Sequence, residues 1–93
     1  MLQYFLNFEV FKMTKHIAYQ NAKSLLQKAQ TPNGFLAGID DVANYKRIWA
    51  RDGVICGLAA LLDGDEDLIK TMKATLETLA KHQHEMGNIP SNV

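Results

Sequence analysis

Residues 53–62, Gly-Val-Ile-Cys-Gly-Leu-Ala-Ala-Leu-Leu, carry no charge, and in a chain of 93 residues that run governs what the fold can be. It is long for a strand, and Leu58 to Leu62 are strong helix formers, so the run predicts a buried helix. Asp63-Gly64 ends it, with Gly64 as the C-terminal stop. A helix apolar on every side needs cover on every side. A chain this short buries a smaller share of its surface than a large domain does. The expected result is an exposed apolar patch, with oligomers or loose packing as its consequence.

The segments around the run are read from their periodicity. Asp65, Glu66 and Asp67 crowd the first turn of a second predicted helix, where the helix dipole favours negative charge. Leu68, Ile69, Met72, Leu76, Leu79 and Ala80 form its expected apolar stripe, Gly87 its expected close, and Pro90 bars continuation. Upstream, Thr14 is the expected N-cap of a helix whose apolar face is Ile17, Ala18, Ala22, Leu25, Leu26 and Ala29. That helix stops before Pro32, and Thr31-Pro32-Asn33-Gly34 is a strong turn signal. Residues 35–48 are aperiodic and read as a long ordered loop. The first twelve residues hold Tyr4, Phe5, Phe8 and Phe11. The alternation of Leu6, Phe8 and Val10 with Asn7 and Glu9 fits a short strand, and an irregular apolar arm fits equally. Met13 offers a second start, so residues 1–13 are an arm or a mis-called start, and 14–93 are the folded helices. The expected class is all-α.

Composition excludes several functions. Hydrophobic residues make up 47% and charged residues 22%, a globular balance. Ten Lys and Arg against ten Asp and Glu give no net charge, which argues against a nucleic-acid or anionic-membrane partner. It also leaves self-association through exposed apolar helix faces unopposed. A single cysteine, Cys56, excludes an internal disulfide and zinc sites built on cysteine pairs. No stretch reaches the ~18 apolar residues that span a bilayer. With neither a signal-peptide pattern nor an Asn-x-Ser/Thr sequon, the expected compartment is the cytoplasm.

Most chemistry-bearing residue types have a structural explanation. Asp63, Asp65 and Asp67 open like a calcium loop, but such a loop needs Gly at its sixth position and Glu at its twelfth. Leu68 and Ala74 stand there. His82 and His84 are two residues apart, about 200° around a helix, so they do not converge on a metal. Cys56 reads as an inert small hydrophobe. No metal or cofactor is expected.

The octet Tyr45-Lys46-Arg47-Ile48-Trp49-Ala50-Arg51-Asp52 is different. It gathers two aromatic rings, three cations and an acid where the long loop meets the uncharged helix. In one reading Asp52 is an N-cap, Arg51 its ion-pair partner and Trp49 core packing. In the other it is a sugar site. An aromatic face covers the apolar face of a sugar ring, while Arg donates to hydroxyls and Asp accepts from them. The same residues serve both readings.

Tyr-x-x-x-Trp-x-Arg-Asp followed by an apolar helix resembles the glucoamylase-like glycosidases. The likeness is nearest to bacterial amylo-α-1,6-glucosidase (glycogen-debranching-type) enzymes and more distant to neutral invertases. Asn33-Gly34-Phe35-Leu36-Ala37-Gly38 is similar to that family's segment after its first helix. Leu76 to Gln83, followed by Gly87-Asn88-Ile89-Pro90, is similar to its helix ending in Gln and then Gly-x-Ile-Pro. The likeness runs from about residue 17 to Val93. It implies the opening helices of an (α/α)6 toroid, incomplete in this chain, with the uncharged run as an inner helix. It implies a partial glycoside hydrolase acting on α-glucosidic bonds of an oligo- or polysaccharide. Tyr45, Trp49, Arg51 and Asp52 would be its sugar-binding residues. The two carboxyl groups of hydrolysis, one protonating the leaving oxygen and one activating water, are implied downstream of Val93. No catalytic residue is therefore assigned, and the 93 residues alone are expected to hydrolyse nothing. Two alternatives stand beside this reading. One is an invertase-like fragment. The other is a small helical interaction module that pairs through Leu68, Met72, Leu76 and Leu79.

Overall fold

The computed structural model describes residues 2–40 and 42–93, with side chains described for Asn7, 12–40 and 42–93. The chain is mostly helical. In order it forms α1 (Leu2–Lys28), β1 (Gln30–Thr31), β2 (Gly34–Phe35), α2 (Ala50–Asp63) and α3 (Glu66–Lys81). No described helix is long and apolar enough to cross a membrane.

The N-terminal expectation is corrected. α1 runs through residues 6–10, where a short strand or an irregular arm was expected, and Thr14 lies in its interior rather than capping it. A strand needs a partner edge, and among the described residues the sheet is only β1 and β2. A helix closes its hydrogen bonds within itself, and no Gly or Pro interrupts residues 2–28. The side chains of Tyr4, Phe5, Phe8 and Phe11 lie outside the described residues. Only the end of the expected α1 stripe is used. Ile17, Ala18, Ala22 and Leu25 are exposed, while Leu26 and Ala29 pack into the core.

The predicted turn at 31–34 is the loop of a small hairpin. Gln30 pairs with Phe35 and Thr31 with Gly34, leaving Pro32 and Asn33 as the connection. The hairpin lies on α3 and is bonded to a row of threonines. The Phe35 amide donates to the Thr75 hydroxyl at 2.9 Å, and that hydroxyl donates to the Thr71 carbonyl at 3.0 Å. The Gln30 side-chain amide donates to the Thr71 hydroxyl at 2.7 Å, and the Thr78 hydroxyl donates to the Asn33 carbonyl at 2.6 Å. Thr75 is fully buried, and its polar atom is satisfied on both sides.

α2 and α3 pack closely as an antiparallel pair joined at Gly64 and Asp65. A Cβ added to Gly53 would stand 2.6 Å from Thr75 Cγ2, and one on Gly57 would stand 2.7 Å from Met72 Cγ. Glycine and alanine thus form the buried face of α2, at Gly53, Gly57 and Ala60. The large apolar residues face outward. Val54, Ile55, Leu58, Leu61 and Leu62 are all exposed, Leu62 to 90%. This is the apolar patch that the uncharged run predicted.

The buried face of α3 differs from the expected stripe. Leu68, Thr71, Thr75 and Leu79 are buried and Met72 packs against the core, whereas Leu76 and Ala80 are exposed. The self-association face proposed on Leu68, Met72, Leu76 and Leu79 is therefore largely spent inside the fold. α3 also ends earlier than expected, at Lys81 with His82 as its C-cap. Gly87, at φ 98°, closes a separate turn, its amide donating to the His84 carbonyl at 2.8 Å.

The corner between α2 and α3 is polar. Gly64 ends α2 at φ 84°. Asp65 caps α3 by accepting from the amides of Asp67 and Leu68. Asp63 accepts from the Tyr19 hydroxyl and pairs with Lys23 at 2.9 Å, which ties α1 to this corner. The Leu68 amide is the main cause of a lowered Asp65 pKa. The Asp67 amide and Lys23 add to that lowering, while burial opposes it.

Three outcomes follow for stability. Thr75→Val leaves the buried Phe35 amide unpaired and costs about 1–3 kcal/mol by urea unfolding. Gly34→Ala meets Thr75 Oγ1 at 2.5 Å and a φ of 133°. It therefore destabilises more than Gly64→Ala, which meets open space and costs only the ~1–2 kcal/mol of a left-handed alanine. The pH outcome has a definite sign. A carboxyl whose pKa is lowered by folding stabilises above its unfolded value and loses that contribution as pH falls through the folded value. Unfolding midpoints measured from neutral pH to below the ordinary Asp pKa of about 3.9 will fall further for the native chain than for Asp65→Asn.

Candidate functional site

The start of α2 is built by the long loop and by the C-terminal residues. The Leu36 amide donates to the Ala29 carbonyl at 2.9 Å, so the loop leaves the hairpin bonded to the end of α1. It then pairs with itself. The Ala37 amide donates to the Arg47 carbonyl at 2.9 Å, and the Gly38 amide to the Tyr45 carbonyl at 2.8 Å. Residues 48–50 in turn pair with 91–93. Ile48 and Val93 exchange amide-to-carbonyl bonds of 3.0 and 2.8 Å, and the Ala50 amide donates to the Ser91 carbonyl at 2.9 Å. Asn92 lies opposite Trp49, and its side chain accepts from Arg47 at 3.3 Å. An irregular segment is thereby fixed at both edges before it enters α2.

Trp49, at φ −100° and ψ 137°, is the N-cap residue of α2, and its side chain makes no capping bond. Asp52 sits in the first turn instead, where the dipole favours its charge. Arg51 makes no ion pair among the described residues. Trp49 is only half-buried. Two parts of the purely structural reading are therefore corrected, Asp52 as the cap and Arg51 as its ion-pair partner, while Trp49 is partly packed rather than fully buried.

The structure brings the remaining features together. Trp49, Ala50, Arg51, Asp52 and Ser91 line one hollow of about 280 Å³. Tyr45 stands outside that lining and buttresses it, its ring centroid 6.0 Å from that of Trp49 with the planes tilted by 35°. The Trp49 indole N–H donates to the Asn44 carbonyl at 3.1 Å. Its hydrogen-bonding group is thus committed, and what the ring offers is its carbon face. Arg51 and Asp52 line the same hollow as Trp49. The volume is close to the ~300 Å³ lower end of ligand pockets and suits one ring-sized polar molecule. A larger hollow of about 450 Å³, lined in part by Glu77, Thr78, Lys81 and His82, has no Phe, Tyr or Trp in its wall.

Ser91, Asn44 and Asn92 were not legible as site residues. Ser91 and Asn92 reach the site through backbone pairing over some forty residues, and no local pattern announces such pairing. The proline at 90 does favour an extended residue ahead of it, which is the one available signal.

The other chemistry-bearing residues are used locally. The His82 ring bonds the Thr78 carbonyl, and the His84 ring accepts from the Met86 amide. Among the described residues no cluster of three or more His, Cys, Asp or Glu is placed to hold a metal. Cys56 is half-buried one turn beyond Asp52. Burial, and then the Asp52 charge, push its thiol pKa up. No family model, curated protein or solved structure matches the chain.

Because the Cys56 thiolate is disfavoured, reaction with a thiol reagent at neutral pH will be slower than that of a free cysteine. Asp52→Asn removes the second cause and will speed the reaction modestly, since burial remains. A rate unchanged or lowered by Asp52→Asn would contradict the coupling between these two groups.

Proposed function

We propose that the start of α2 is a carbohydrate-binding site and that the chain is the opening part of a glycoside hydrolase of the glucoamylase-like kind. Its substrate class is α-glucosides, as oligo- or polysaccharide, and its compartment is the cytoplasm. The observation that carries this reading is the one hollow that Trp49, Arg51 and Asp52 line together. In it the Trp49 face covers the C–H face of a terminal glucose unit. Asp52 accepts from adjacent hydroxyls and Arg51 donates to them, a division of roles set by their donor and acceptor inventories. Tyr45 holds the indole at its tilt. The resemblance of the octet and of its flanks supplies the choice of sugar over other ring-shaped polar ligands.

The helical layout supports the same reading. α2 and α3 form a helical hairpin, the unit from which an (α/α)6 toroid is assembled. The outward apolar face of α2 suits an inner helix covered by further hairpins. The acid and base of hydrolysis belong to those further parts, so this segment binds and orients but does not cleave. The exposed α2 face also favours a second reading, a helical module that associates with itself.

Nuclear magnetic resonance separates the two. Titration of the labelled chain with maltose or isomaltose will shift the Trp49 indole N–H and the amides of residues 50–52. Trp49→Ala and Asp52→Asn will each weaken that response, and neither disaccharide will be hydrolysed. A sugar-independent spectrum with a concentration-dependent mass would select the self-associating module, and turnover by the 93 residues alone would refute the division between binding and cleavage.

A further inference from the structure

We infer that Ser91 is a fourth ligand-contacting residue of this site, with its hydroxyl bonding the same sugar that Arg51 and Asp52 hold. The inference rests on the carbohydrate reading and adds to it a residue that the octet does not contain.

Three observations carry it. Ser91 lines the hollow together with Trp49, Arg51 and Asp52. Its position is set by backbone bonds, because its carbonyl accepts from the Ala50 amide, the first residue of α2, at 2.9 Å. Two residues on, Ile48 and Val93 exchange two further bonds, so residues 91–93 form a strap that cannot slide without breaking all three. Finally, the hydroxyl is only partly occupied. Its oxygen accepts from the Asn92 side-chain amide at 3.2 Å, and among the described residues its hydrogen has no acceptor.

The chemistry gives the hydroxyl a role that neither neighbour fills alone. Arg51 only donates and the ionised Asp52 only accepts. A sugar hydroxyl bonded to Asp52 spends its hydrogen there and keeps lone pairs that need a donor. One bonded to Arg51 keeps its hydrogen. A serine hydroxyl rotates to donate or to accept, so it can complete either arrangement.

The test is maltose titration of the full 93-residue chain, read at the Trp49 indole N–H, for the native sequence, Ser91→Ala, Ser91→Thr and Asn92→Ala. The expected result is a dissociation constant about five-fold weaker for Ser91→Ala, the loss of one ordinary hydrogen bond. Ser91→Thr keeps the hydroxyl and will restore binding. Asn92→Ala keeps Ser91 and frees its oxygen, so it will bind at least as well as the native chain, and binding as weak as that of Ser91→Ala would count against the assignment. If the native chain binds maltose and Ser91→Ala binds equally, the Ser91 assignment is overturned while the carbohydrate reading stands. If Ser91→Ala weakens binding and Ser91→Thr does not restore it, the strap acts by its shape, and the assignment is again overturned. If the native chain shows no response at Trp49, both readings fall together.

Discussion

The hydroxyl and methyl of Thr75 sit where three elements meet. The hydroxyl accepts the Phe35 amide and donates to Thr71, one turn back in its own helix. The rest of the side chain presses on two glycines, Gly34 of the hairpin and Gly53 of α2. A β-carbon at either position would overlap it, so the hairpin, α2 and α3 approach more closely than ordinary side chains permit. Phe35, almost wholly buried beside this contact, contributes the ~1.5–3 kcal/mol of a buried aromatic ring. The long loop inherits its position from this knot. It leaves Phe35, bonds to the end of α1 through Leu36, folds back on itself at Tyr45 and Arg47, and delivers Trp49 to the start of α2. A change at Thr75 therefore reaches the candidate site along the backbone, although Thr75 does not line it.

What was legible in the sequence was local. The uncharged run became α2 and stopped at Gly64, because the left-handed backbone needed there suits glycine. Asp65 and its acidic neighbours opened α3, because a cap and a dipole act within one turn. Thr-Pro-Asn-Gly made the turn it announces. The failures share a cause. Hydrophobic periodicity marked Leu76 as buried and gave Thr71 and Thr75 no weight, yet the threonines face inward, because the hairpin needs acceptors and donors along that face. The alternation at Leu6, Phe8 and Val10 signalled a strand, but a strand depends on a partner elsewhere in the chain, and α1 needs none.

The candidate site divides in the same way. Tyr45, Trp49, Arg51 and Asp52 are contiguous or nearly so, and their residue types fitted a packed helix start and a sugar site alike. The cap position fell to Trp49, and Asp52, in the first turn, lines the same hollow. The indole N–H went to Asn44, which turned the ring into a face rather than a donor. Ser91 was beyond reach of sequence reasoning, since its place depends on pairing across the whole α2–α3 hairpin. Binding surfaces on loops are often of this kind: a local motif supplies one wall and a distant segment supplies the other.

The unusual distribution of size on α2 ties the fold to the proposed function. An ordinary surface helix turns its large apolar residues inward. α2 turns in Gly53, Gly57 and Ala60 and leaves Val54, Ile55, Leu58, Leu61 and Leu62 outside. The small residues are required by the close approach to α3, so the large ones have no remaining place within this chain. They are costly in water and useful only against another apolar surface, at roughly 25 cal/mol per Å² covered. Asp52 and Arg51 lie in the first turn of this helix. Any cover over its outer face therefore also restrains the two groups that the carbohydrate reading assigns to the ligand. A partly covered α2 holds its N-terminal turn chiefly through the backbone pairing of residues 48–50 with 91–93 and the Thr75 contact at Gly53. A fully covered one fixes it along its length, as a site that must orient a glycosidic bond toward an acid and a base requires.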